Sequence, residues 1–181
     1  MRYEIRLAGE GGQGLILGGI ILAEAAGIYD GKEVVQTQIY GAAARGELSK
    51  SEVVISDGPV WYPKVEAADL LLALTQSAYD EYIEEVKETG IVIVDSFYVR
   101  NYRKGDKVYS LALSEVARRI VGREIATNIV SLGVITAISG VVSRDAMREA
   151  VLHKVPKGTQ EKNSAALEEG FRMGEDAVKI H

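Results

Sequence analysis

The chain has 181 residues, enough to bury one sizeable core and too few for two ordinary domains, so residues 1–181 read as a single domain. Hydrophobic residues make up 47% and charged residues 26%, and Asp plus Glu (26) outnumber Lys plus Arg (21) for a net charge of -5, which argues against the basic face that nucleic-acid binding requires. Cysteine is absent, which excludes disulfides, zinc–thiolate sites and any iron–sulfur cluster held by this chain and makes an intracellular location the expectation; His153 and His181 have no metal-ligand spacing around them.

The sequence enters a strand at once, with no secretory leader ahead of it, and reads as a mature start. Residues 3–8 alternate as a strand, and residues 15–26 are helix formers without proline. Between them Gly9-Glu10-Gly11-Gly12-Gln13-Gly14 satisfies G-x-G-x-x-G with one glycine to spare. Glycine admits φ > 0 and lets a ligand approach the backbone, and the following helix start offers unpaired N–H groups and partial positive charge to a phosphate. The turn therefore reads either as an anion contact or as tight geometry at the top of a βα unit.

Gly27 and Asp30-Gly31 end this helix, and residues 34–39 form a second strand. A dinucleotide needs an acid at the carboxyl end of that strand, yet Glu33 opens it and the far end carries Gln36, Thr37 and Gln38, which weakens an NAD reading. The turn-rich segment Tyr40-Gly41-Ala42-Ala43-Ala44-Arg45-Gly46-Glu47 follows, at the same end of the sheet as the glycine turn. Arg45 there is either a planar clamp for a phosphate or carboxylate or an exposed cation.

A short strand over 51–56 leads to the turn Asp57-Gly58-Pro59, which Trp61, Tyr62 and Pro63 are expected to pack down. Residues 70–74 suit a parallel strand covered on both faces. An amphipathic helix over 77–88 has Ser77 as N-cap and stops at Thr89-Gly90. The strand over 91–94 delivers Asp95 to the carboxyl end of the sheet, where capping the next turn is its simplest role. Arg100, Arg103, Lys104 and Lys107 read as a solvated loop before a strand at 107–111 and a helix at 114–121 closed by Gly122.

Nineteen uncharged residues separate Glu124 from Arg144, but their threonines, serines and Asn128 are too polar for a bilayer span. They predict a buried helix over 125–142 whose small residues, Gly133 and Gly140 among them, suit close packing in the core or against a partner subunit. Ser143 caps a helix over 144–152 with an apolar stripe of Met147, Ala150 and Val151, Pro156 ends it, and Thr159 caps a last helix bearing Asn163, Leu167, Gly170, Phe171 and Gly174. Alternating strands and helices imply an α/β fold: one Rossmann-like, three-layer domain with a mostly parallel sheet and helices on both faces. No nucleophile–base pair, nucleophile elbow or P-loop lysine is present, so no catalytic residue and no metal ligand is assigned, and the chain reads as one part of a larger enzyme.

Three stretches together resemble the gamma subunit of 2-oxoacid:ferredoxin oxidoreductases of the pyruvate or 2-oxoglutarate type, and the matching domain of the indolepyruvate enzyme. They are the glycine turn, the 40–46 segment with its following strand, and Thr127-Asn128 with Leu132-Gly133; Gly158-Thr159 and Asn163 add a fourth match. The resemblance implies a cytoplasmic complex of anaerobic metabolism that decarboxylates a 2-oxoacid and transfers the acyl group to coenzyme A. Thiamine diphosphate and Mg²⁺ would lie in alpha and beta partner subunits, and iron–sulfur clusters would carry electrons through a ferredoxin-like subunit, so this chain holds no cofactor alone. By the same resemblance the coenzyme A side would be lined by Gly9, Gly11, Gly12, Gln13, Gly14, Tyr40, Gly41, Arg45 and Gly46, with Gly11, Gly12 and Gln13 offering N–H groups. Where such chains carry a serine before the Tyr-Gly pair and two glycines after the arginine, this one has Ile39 and Glu47, which sets a carboxylate beside Arg45. The implied partners are those subunits and, for the isolated chain, a second copy, with no nucleic acid and no membrane. Two other readings stand beside this one: a free-standing NAD(P)-dependent oxidoreductase, and an interaction scaffold whose glycines serve only turn geometry.

Overall fold

The computed structural model describes residues 1–39 and 47–180. Six strands form one sheet in the order β2-β3-β1-β4-β5-β6, with β1 Arg2–Glu10, β2 Glu33–Ile39, β3 Leu48–Ser56, β4 Ala68–Ala73, β5 Val86–Asp95 and β6 Val108–Leu111. The pairs β1–β4, β4–β5 and β5–β6 are parallel, and β3 runs antiparallel to both β1 and β2. The sheet is thus mostly parallel, and β3 is its reversed strand, paired with β2 from Glu33↔Ser56 to Ile39↔Lys50.

Strand parity assigns the two faces. Ile5, Leu7, Val53, Ile55, Leu70, Leu72 and Ile93 belong to the main core with α1 Leu15–Glu24, α3 Leu113–Val121, α4 Thr127–Ser139, α5 Arg144–Lys154 and α6 Gln160–Ile180. The opposite parity, Ala8, Leu71, Ala73, Val92 and Val94, meets Ala78 and Tyr79 of the single short helix α2, Gln76–Tyr82. Among the described residues, helices therefore cover both faces, five against one.

α4 explains the uncharged stretch. Its first ten residues, Thr127 to Thr136, are all buried, because it sits in the middle of the helical layer against α1, α3, α5 and α6. An interior helix has no wet side on which to place charge. Its polar side chains are satisfied locally: Ser131 and Thr136 hydroxyls donate to the carbonyls of Thr127 (2.7 Å) and Leu132 (2.8 Å). The helix begins at Thr127 after a 3₁₀ turn and ends at Gly140 (φ 62°), so the expected 125–142 span shortens at both ends.

Two other expectations change. The 77–88 segment is not one helix: α2 ends at Tyr82, a 3₁₀ turn covers Ile83–Glu85, and β5 starts at Val86. The strand can start so early because a register shift between Ala68 and Leu70 admits extra residues, and Gly90 lies where a Cβ would come within 2.6 Å of Val86 Cγ1. The cap is also Thr75, whose hydroxyl accepts from Ala78 N–H, rather than Ser77. Secondly, Trp61 is 89% exposed and Tyr62 47%, so they do not pack the 57–59 turn down; Val65 does the burying, against Val54 and Ala68.

On the thinly covered face Arg6 is 2% exposed and meets three oxygens. Its Nε donates to Glu52 Oε1 (2.8 Å), Nη2 to Val65 O (3.1 Å) and Nη1 to Glu85 Oε2, while Tyr82 covers the guanidinium at 4.9 Å. These bonds tie β1 to β3, to Val65 before β4 and to the 3₁₀ turn that follows α2.

Candidate functional site

The two connections leaving β1 and β4 diverge: β1 feeds α1 and then β2 and β3 on one side, whereas β4 feeds α2 and then β5 on the other. Such a point of reversal at the carboxyl ends of neighbouring parallel strands opens a crevice. It is lined here by Glu10, Gly11, Gly12, Gln13, Thr75, Tyr98, Glu124, Ile125 and Thr127, and its volume is about 330 Å³.

The glycine turn is held rigidly. Gln13 Oε1 accepts from Glu10 N–H (2.7 Å), and Gln13 N–H donates to Glu10 O (3.3 Å). Gly9 leaves room for that side chain, since a Cβ there would lie 2.2 Å from Gln13 Oε1. Gly14 caps α1 in the left-handed region (φ 73°), and Asn128 Nδ2 donates to its carbonyl (3.0 Å). The Thr127-Asn128 pair thus includes the side chain that clamps the turn onto α4.

Of the three N–H groups expected to meet a phosphate, two are engaged. Gly11 N–H donates to Glu47 O (3.2 Å) and Gln13 N–H to Glu10 O, which leaves Gly12. Gly12 has φ 93°, and no described residue lies within 4 Å of where its Cβ would be, so a side chain there would meet open space. Tyr40, Gly41, Arg45 and Gly46 lie outside the described residues. Glu47, at the start of the described hairpin arm, reaches the turn through its carbonyl.

The opposite wall comes from segments that sequence spacing did not assign to the site. Arg118 Nη1 pairs with Glu124 Oε2 (3.1 Å), and its guanidinium covers the Phe97 ring at 4.8 Å. Hydrogen bonding to the Glu124 carboxylate, helped by desolvation, raises the Tyr98 phenol's pKa, with Arg118 opposing. Asp95, fully buried beneath this wall, accepts from Phe97 N–H (3.3 Å) and so caps the turn instead of reaching the crevice. Burial pushes its carboxyl pKa up, partly offset by the Ser114 hydroxyl beside it and by the Phe97 and Ser114 N–H groups. The Ser114 hydroxyl stands outside hydrogen-bond geometry. Only Thr127 carried a hint in the sequence, through the Thr127-Asn128 pair; Thr75, Tyr98, Glu124 and Ile125 sit in unremarkable contexts.

Beyond Ile125 a second and larger hollow opens, about 540 Å³, between α1, the start of α4 and the α5–α6 connection. Its wall is mostly apolar, with Leu17, Ile129 and Pro156, and Arg123 and Lys162 stand among its lining residues. Among the described residues no group of three His, Cys, Asp or Glu is placed to hold a metal ion.

Residues 4–173 match the family model described as pyruvate ferredoxin/flavodoxin oxidoreductase. The chain is 46% identical to 2-oxoglutarate synthase subunit KorC of Methanocaldococcus jannaschii, over 97% of this chain and 96% of that one. Among solved structures it superposes with a TM-score of 0.89 on the gamma subunit of a keto/oxoacid ferredoxin oxidoreductase from Geobacter sulfurreducens, at 49% identity and 98% coverage of both chains. It shares its fold with part of 2-oxoglutarate:ferredoxin oxidoreductase from Magnetococcus marinus, solved with 2-oxoglutarate, coenzyme A and succinyl-CoA bound (TM-score 0.82, 21% identity, 97% of this chain and 31% of that one). The chain belongs to the pyruvate ferredoxin/flavodoxin oxidoreductase family, as a gamma-type subunit of a 2-oxoacid:ferredoxin oxidoreductase.

Proposed function

We propose that this subunit serves a 2-oxoglutarate-oxidising complex and that its crevice forms the coenzyme A side of the assembled active site. The choice of 2-oxoglutarate rests on the 46% identity to a 2-oxoglutarate synthase subunit along nearly the whole chain. The coenzyme A role rests on one observation: a backbone N–H at Gly12 without an acceptor among the described residues, held at the carboxyl end of β1 where the connections diverge. A protein of the same fold has coenzyme A bound.

The overall reaction would convert a 2-oxoacid and coenzyme A to acyl-CoA, CO₂ and reduced ferredoxin. Thiamine diphosphate with Mg²⁺, in alpha and beta subunits, would supply the decarboxylation chemistry, and iron–sulfur clusters beside a ferredoxin-like subunit would carry the electrons. This chain's donor set does not fit a cluster, since it has no cysteine. Its own work is binding and orientation. Gly12 N–H and the positive end of α1 attract a phosphate of the thiol substrate, Gln13 and Asn128 keep the turn from relaxing, and Thr75 and Tyr98 bound the opening. We place the complex in the cytoplasm; no described helix is long and apolar enough to cross a membrane.

The test is Gly12→Asp in the assembled complex. A carboxylate on the bare turn repels phosphate and strains a left-handed residue, so KM for coenzyme A rises on the order of ten-fold while thiamine diphosphate binding holds. Unaltered acyl-CoA kinetics would overturn the assignment.

A further inference from the structure

The sheet leaves one long edge open among the described residues. β2 is the outermost strand, and no described strand pairs with its other side. A bare row of N–H and C=O groups recruits another strand, so open edges are commonly blunted by lysine, proline, a bulge or shortness. The opposite edge is blunted in this way: β6 has four residues and follows Lys104 and Lys107. β2 has seven, EVVQTQI, with no lysine or proline, and its ladder to β3 runs without a register shift. Its only charge is Glu33, at its start.

The face beside this edge is thinly covered as well. Cross-strand register puts Val35, Thr37 and Ile39 of β2 on the same side of the sheet as Val54, Glu52 and Lys50 of β3, which is the side that α2 occupies. α2 packs on β1 and β4, and Val60 and Val65 cover Val54. Val35 and Thr37 are only partly buried, and Ile39 is 56% exposed. Trp61, one residue beyond Val60, is 89% exposed. The charges on this side are already balanced, Arg6 and Lys50 against Glu52 and Glu85, so nothing there selects an acidic or a basic partner. We infer that β2 pairs antiparallel with β2 of a second copy of this chain, joining two sheets into one about a two-fold axis near Gln36. That pairing sets Val35 against the copy's Thr37 and Glu33 against its Ile39, and it keeps the two Glu33 carboxylates at opposite ends of the seam. A two-fold contact uses the same patch on both chains, so an uncharged edge needs no foreign sequence to complete it. Trp61 is the aromatic anchor that such a contact draws in.

Trp61 is the only tryptophan in the sequence, so its fluorescence reads the contact directly. Across a concentration series on the isolated full chain, sedimentation velocity should show monomer giving way to dimer, with the emission maximum moving to shorter wavelength in step. Val35→Lys places the usual guard on the edge, and Trp61→Ser removes an exposed side chain at little cost to the fold. Each should raise the dimer dissociation constant about ten-fold or more. Leu152→Lys, on α5 and 41% exposed, should leave dimerisation unchanged. Should Val35→Lys fail to fold, Trp61→Ser still decides. A chain that stays monomeric at every concentration overturns the inference, as does a dimer whose emission does not move or that the variants leave intact. An emission shift that appears only when other subunits of the complex are added also overturns it, because the edge then belongs to a foreign chain.

Discussion

At the scale of single residues, Asp95 shows how position along a strand can mislead about purpose. The carboxyl end of a central strand is where ligand-contacting acids sit, yet this one is fully buried and spends one oxygen on the Phe97 N–H of the following turn. Because burial raises its pKa, the protonated form favours the fold. The associated stability is complete below the ordinary Asp range, about 3.9, and is lost as pH rises through the higher folded-state value. Asp95→Asn keeps an acceptor for Phe97 N–H and cannot ionise. Thermal melts across pH should show the variant at least as stable as the parent at neutral pH, with the gap closing toward pH 4; a variant that melts lower throughout would mean the charge is needed. Glu24 has the opposite sense. Burial alone would raise its pKa, but hydrogen bonds and charges from Lys154 (2.9 Å) and His153 outweigh that and hold it below the usual range. Its contribution is present at neutral pH and fades as pH falls through that depressed value.

Among elements, the contact between α4 and α6 leaves the least room for change. A Cβ on Gly133 would lie 2.4 Å from Leu167 O, and one on Gly170 would lie 2.2 Å from Val130 O, so the backbones touch with nothing between them. The thin side of the uncharged helix is therefore filled within the chain by α6 and is not reserved for a partner. Gly170→Ala should destabilise by about 1–3 kcal/mol and lower Tm by several degrees, because helix backbones that touch cannot absorb a methyl group. Gly18→Ala in α1 is the control. Its Cβ would meet only Leu7 Cδ1 at 3.7 Å and Asn128 Cβ at 3.8 Å, so the helical gain of about 0.5–1 kcal/mol should leave Tm unchanged or raised. Equal losses in both variants would mean the close approach is not what the glycine provides.

For the whole molecule, topology weighs against a free-standing NAD(P)-dependent enzyme. That reading needs a parallel strand beside β1 with an acid at its carboxyl end, whereas β1's neighbour on that side is the reversed strand β3, and β2 begins with Glu33 one strand further out. Calorimetric titration of the isolated chain with NADH should show no saturable binding, and saturable binding would restore that reading.

Composition and periodicity were enough for the α/β class, for the strand–turn–helix start and for the interior helix, because each is written in local spacing: alternation, a glycine cluster, a run without charge. Order along the chain carried the family resemblance as well. The reversed direction of β3, the early start of β5 and the exposure of Trp61 depended on which strands pair and what lies above them, and no local pattern encodes that. The same holds for the site. Glycines at 9–14 announced a turn, but Gly11 N–H is spent on Glu47, and the opposite wall comes from Thr75, Tyr98 and Glu124, brought together only by the crossing of chain connections. Local propensity fixes what each segment can be; which of its polar groups stay free is settled by non-local neighbours.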